Sequence, residues 1–343
     1  MKKQIALVLL LSLALLVAGC TQPKTTSLPS TVDQHLAWIP QNVNGVAYVD
    51  VQSLRQSELG VKLEEDFDKP WSRMRDDEHL KELLEMANFD FEKDLHSVLA
   101  GFRGSAHDSL NSFALVVTGN FDEQKISETL RAVQDSMAQH HHDAPKMSTE
   151  TYYGKTLYVI KEHGERAFYF ADAHTLVASN KDWVQAIIDG KTADQSVKQN
   201  NAISALMNKL RFKEQGWVVA NTAEVMEKVA EEMGRSSNFK GTRAVKAVQG
   251  VTFSAKFAKN AELDGEAVCD SEESSKLLVE ALKGALATAK LAVSDDREAV
   301  DMLNHIDIGM SGKAVKFNAD LDKAFFDKMR EKAEKQGKAI AMF

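Results

Sequence analysis

Two cysteines in 343 residues exclude a disulfide scaffold, and one of them, Cys20, lies at the end of an N-terminal leader. The lone Cys269 has no partner within the rest of the chain, so a packed core must hold the fold. Basic charge is in deficit: 42 Lys and Arg stand against 50 Asp and Glu, for a net charge of −8. No basic cluster offsets this, which excludes nucleic acid as a partner and broad electrostatic docking onto anionic lipid. Aromatics are sparse at 7%, and Trp71, Trp183, Trp217, Tyr152, Tyr153 and Phe168 are scattered over strand and helix positions. That distribution suits packing, not a stacking platform. The sequence has no G-x-S-x-G, P-loop, G-x-G-x-x-G after a strand, or H-E-x-x-H, so no cofactor and no catalytic activity are expected.

Only one long apolar run is present. Ile5 to Ala18 follows the basic Lys2 and Lys3 and is too short to span a bilayer as a helix. It ends in Val17-Ala18-Gly19-Cys20. This resembles the lipobox of bacterial lipoproteins. The resemblance implies a signal peptide over 1–19, cleavage between Gly19 and Cys20, and lipidation of Cys20 through its sulfur, usually followed by acylation of the new amino group. Two or three acyl chains hold a protein firmly, each buried CH₂ contributing about 0.8 kcal/mol. Thr21 follows where aspartate favours inner-membrane retention, so the outer membrane, facing the periplasm, is the expected location in a Gram-negative cell. The polar stretch 20–34, with Pro23 and Pro29, reads as a flexible tether.

The remainder predicts an α+β protein of two tandem repeats, each an antiparallel sheet covered on one face by helices. In the first lobe, 35–190, strands are expected at 44–51, around "LHSVLAGFRG" and "NSFALVVTGN", and as a meander over 150–180. Helices are expected after Ser53 as a cap, over 76–88, over 122–137, and at "KDWVQAIIDG". A polar linker, 191–200, follows. The second lobe, 201–343, restarts the order with "GWVVAN" and a helix capped by Thr222. In "AELDGEAVCD", Leu263, Ala267 and Cys269 share one face and Glu262, Asp264 and Glu266 the other. An Ala-rich amphipathic helix over 274–292, a hairpin turning at Ser311–Gly312 and a terminal helix complete it. Element order carries the repeat, since the halves share little at the residue level. The opening "WIPQNVNGVAYVDVQSLRQSELGVKL" resembles a group of exported bacterial proteins of unknown function.

Residues with chemical potential are few. His140 and His142, with Asp143, are candidates for a metal in "HHHDAP", but adjacent residues diverge and no further ligand is evident. Cys269 falls on the expected buried face, and the acids at 64–66 and 76–78 suit solvated helix positions. The expected function is therefore that of a lipid-anchored envelope protein, bound to the membrane through its N-terminal lipid. It would bind another envelope protein through its sheets or lobe interface. A carrier of lipid or another apolar ligand, held between sheet and helices, is the alternative, and an enzyme with an unrecognised site is a third.

Overall fold

A computed structural model describes residues 28–63, 84–103, 113–140, 146–161, 164–210, 212, 214–236 and 242–328. The leader, Gly19, Cys20, the tether up to residue 27, the acids at 64–66 and 76–78, His142 and Asp143 lie outside them, as do most of the expected helix over 76–88 and the chain beyond 328.

Helix α1 (Ser30–Leu36) opens the body, with Val32 and Leu36 buried. Strand β1 (Gly45–Asp50) leads into α2 (Val51–Gln56), then a helical turn over 58–63. The short α3 (Phe91–Asp94), β2 (Leu95–Phe102) and β3 (Phe113–Gly119) come next, then α4 (Glu123–His140). Strands β4 (Lys146–Tyr152), β5 (Lys155–Lys161), β6 (Glu165–Asp172) and β7 (Thr175–Asn180) form the meander. Helices α5 (Lys181–Ile188) and α6 (Asn201–Met207) bracket two 3₁₀ turns. The second half runs β8 (Gly216–Asn221), α7 (Ala223–Ser236), α8 (Thr242–Lys246), β9 (Val248–Phe257) and β10 (Ala261–Cys269). It continues with α9 (Glu272–Ala292), α10 (Arg297–Asn304), β11 (Ile306–Ser311) and β12 (Ala314–Leu321), and a helical stretch over 323–328 follows, where the terminal helix was expected.

The sequence left open whether the sheets of the two lobes join or stand apart; the structure joins them. All twelve strands form a single sheet in the order β11-β12-β10-β9-β8-β1-β2-β3-β7-β6-β5-β4, with antiparallel pairing throughout. The halves join through β1 and β8, each the innermost strand of its half. Their register is self-inverse about the Ala47–Val218 pair: Gly45 faces Ala220 and Val49 faces Gly216. Hydrogen bonds repeat accordingly. Asp50 N–H donates to Gln215 O, and Asn221 N–H donates to Asn44 O. Gly119 N–H donates to His174 O, as Cys269 N–H does to Lys313 O; Asn120 to Asp94, as Asp270 to Ala247.

Residues directly opposite across strands share a face, so rows can be followed over the sheet. On face A the row of the first half reads Tyr48, Leu99, Val116, Val177, Tyr169; the corresponding row of the second reads Val219, Thr252, Glu266, Lys316, Gly309. On face B the rows are Ala47, Ala100, Leu115, Ala178, Phe168 and Val218, Phe253, Gly265, Phe317, Ile308. The main core therefore changes sides. In the first half it lies on face A, where Leu99, Val116 and Val177 pack with Val32, Leu36, Ile39, Val184, Val197, Ile203 and Leu206. In the second it lies on face B, where Ala267, Val315, Phe317 and Ile308 pack under Leu278, Leu282 and Leu286 of α9. The turn over 58–63 crosses the join: Leu59 and Leu63 pack on Ala255, Phe257 and Leu321.

Several boundaries differ from the sequence reading. The expected tether is already helical at Ser30, because Val32, Leu36 and Ile39 recur at helical spacing and bury on face A. The expected linker is not a free connection. Ser196 bridges Pro40, Val197 N–H donates to Ile39 O, and Val197 is fully buried. Asp50, not Ser53, caps α2, its carboxylate accepting from Ser53 N–H at 2.8 Å. Ahead of α7, Thr222 holds the cap position, its carbonyl accepting from Val225 and Met226 N–H, but its hydroxyl donates to Val248 O and it is the Asn221 side chain that accepts from Ala223 N–H.

Candidate functional site

The residues singled out by sequence are not brought together. His140 is the last residue of α4, and its companions lie outside the described residues. Among the described residues no group of three or more His, Cys, Asp or Glu is placed to hold a metal ion. Cys269 ends β10, buried on face B, and burial pushes its thiol up while Ser275 partly offsets the effect. A thiol held protonated there acts as a small apolar side chain. Among the described residues no helix is long and apolar enough to cross a membrane.

Among the described residues, two clefts open to solvent stand out. The larger, about 630 Å³, lies where β5, β6 and the start of α4 meet. Phe121 and Phe170 contribute its apolar wall, within a cluster in which Phe121 also stacks on Phe89 at 5.6 Å. Its polar groups are engaged within the fold: Asp122 accepts from Lys125 N–H, Asp172 from His174 N–H, Glu123 from the Tyr158 hydroxyl, and Lys155 Nζ donates to Ala171 O at 2.8 Å. The smaller, about 290 Å³, lies on the polar face A of the second half, beside Glu262, Asp264, His305, Asn318 and Asp320. The space beneath α9, where a carrier would keep its ligand, is filled by Leu278, Leu282 and Leu286 against Val315 and Phe317.

The surface most suited to an interaction is face B of the first half. Val98, Ala100, Phe102, Phe113, Leu115 and Val117 are only half-buried there, and Val49 is 38% exposed. β1 and its neighbours hold this surface rigidly, since each pairs on both edges. α2 is tied to the same end of the sheet: Arg55 Nη1 donates to Phe91 O at 2.5 Å and to Glu92 O at 2.9 Å. A contiguous row of half-covered apolar side chains on a rigid sheet can take up apolar surface from a partner. Sequence reading found these strands but not their open side: "FALVV" is apolar at both phases, so alternation gives no face.

No family model matches this chain, and no curated protein matches it. A crystal structure of TP0453 (crystal form I) aligns with 90% of this chain and 99% of its own, at 7% identity and a TM-score of 0.42, a likeness that carries no argument about fold or function.

Proposed function

We propose that this chain is a lipid-anchored, non-catalytic protein of the bacterial cell envelope. Cys20 is its anchor, and the half-covered apolar face B of the first half receives another envelope protein. The observation that carries the second part is the row Val49, Val98, Ala100, Leu115 and Val117: apolar, contiguous and incompletely covered. The other surface named at the outset, the interface between lobes, is consumed by the β1–β8 pairing. The Ala-rich helix offers no room for an acyl chain, since its Leu side chains fill the core, so nothing specific favours the carrier.

We also infer that the two halves descend from one duplicated α+β unit. Two hydrogen bonds that recur at equivalent places away from the join support this reading: Gly119 to His174 with Cys269 to Lys313, and Asn120 to Asp94 with Asp270 to Ala247. Both features are backbone features, which outlast side-chain divergence.

The experiment is photocrosslinking in cells, with a photoreactive residue at Val49 or Leu115 and, as control, at Lys256 on the polar face A. Protein adducts specific to Val49 and Leu115 are the expected result. Adducts with phospholipid alone would replace this reading with the carrier, and no adduct at either position would remove the docking surface.

A further inference from the structure

The structure shortens the leash. From sequence the tether runs to residue 34; in the folded body α1 is already docked and the chain is seated from Leu28, which packs against the face A core. Seven residues then separate Cys20 from Leu28. Fully extended they reach at most about 27 Å. They depart from a defined place. The strap formed by α1 and the residues after it runs from the end of β6, where His35 feels the charge of Asp172, to β2, where Ile39 packs over Gly101. Trp183 Nε1 donates to Trp38 O at 2.7 Å and fixes the strap to α5.

We infer that face A of the first half is the side held against the bilayer, and that face B and the outer edge of the second half point away from it. This rests on the lipid anchor proposed above. The lipid headgroup layer is the occupant because the tether ends there and is short. β6 and β11 are nine strand gaps apart in the sheet, roughly 43 Å at about 4.8 Å per gap, beyond the longest reach of the tether, about 27 Å. Turning face B to the membrane would require the tether to pass the helix layer and round the edge of the sheet. Two acids of the covering segments are paired, Asp33 with Lys198 at 2.8 Å and Asp189 with Lys191 at 2.6 Å, which lowers their repulsion from anionic headgroups, while Asp182 and Asp194 stay exposed. The orientation leaves face B open to the periplasmic side, where a protein partner would dock.

The test uses the full lipidated chain in vesicles of phosphatidylethanolamine and phosphatidylglycerol, in a Cys269→Ala background. Single labels at Gln34→Cys, on the outer side of α1, and at Glu280→Cys, on the exposed side of α9, are quenched by a headgroup-linked quencher. Quenching several-fold stronger at Gln34→Cys is expected, and inserting twenty Gly/Ser residues after Thr21 should bring the two labels level. Equal or reversed quenching in protein shown by mass spectrometry to carry lipid on Cys20 would overturn the orientation while leaving the anchor intact. Absence of lipid on Cys20 would remove the anchor, and the orientation with it.

Discussion

The two halves share a strand order and a hydrogen-bond pattern, yet keep opposite faces dry. Val116 in the first half and Glu266 in the second hold corresponding places on face A. Val116 is buried at 1% exposure, whereas Glu266 pairs with Lys209 beside the solvated Lys316. On face B the correspondence reverses: half-buried Ala178 answers to Phe317, which is 1% exposed. The strands do not account for this. The first half has two extra covers on face A, the strap over 28–43 and the run over 181–210, and they supply Val32, Leu36, Ile39, Val197 and Ile203. The second half has α9 and α10 on face B, with no described cover on face A beyond α6. One backbone pattern thus tolerates either side as its core, provided that side chains and returning segments agree.

The largest expected effects come from exchanging residues across that comparison. Val116→Glu places a carboxylate in the dry face and should destabilise by about 4 kcal/mol or more, whereas Glu266→Val should stay within about 1.5 kcal/mol in urea unfolding. Similar costs for the two would break the contrast between the faces. Next, Phe317→Ala should cost about 3–5 kcal/mol, because Phe317 fills the space that Gly265 leaves: a Cβ on Gly265 would run into its ring. The reciprocal Ala178→Phe should cost under about 1 kcal/mol.

A smaller effect appears with pH. Burial pushes Tyr169 up to about 12, while an unfolded tyrosine ionises near 10. The unfolded chain therefore loses this proton first, and stability should fall as pH rises from 10 to 12, by on the order of 2 kcal/mol. The slope should shrink in Tyr169→Phe. The corresponding place in the second half is Gly309, which titrates nothing. Smallest, Asp50 and Asn221 stand at the same point of each half and each accepts a backbone N–H at a helix start, and Asp50→Ala and Asn221→Ala should each cost about 1 kcal/mol. Thermal unfolding would resolve them, and a large inequality would weaken the proposed duplication.

Much of the second half was legible in its residues. Alternation in β10 puts Leu263, Ala267 and Cys269 on one side and Glu262, Asp264 and Glu266 on the other, and the structure agrees because only one side is covered. The hairpin at Ser311–Gly312 was legible too, with Gly312 at a φ of 58°. The first half was less so, since strands apolar at both phases name no face. The strap carried a signal, Val32, Leu36 and Ile39 at helical spacing, that polar neighbours outweighed. The seating of 191–200 had almost none: Val197 is its single large apolar residue, and what pins the segment is backbone pairing with residues 39–41.

By itself the sequence determined which segments become strands and helices and in what order, because periodicity, turn residues and apolar content act locally. Tertiary structure decided that β1 and β8 should meet, making one sheet of two, and which side of each half should be dry. The physical reason is that a strand's edge exposes N–H and C=O groups that are the same whatever the side chains, so the choice of neighbour is fixed only when every other segment has found its place.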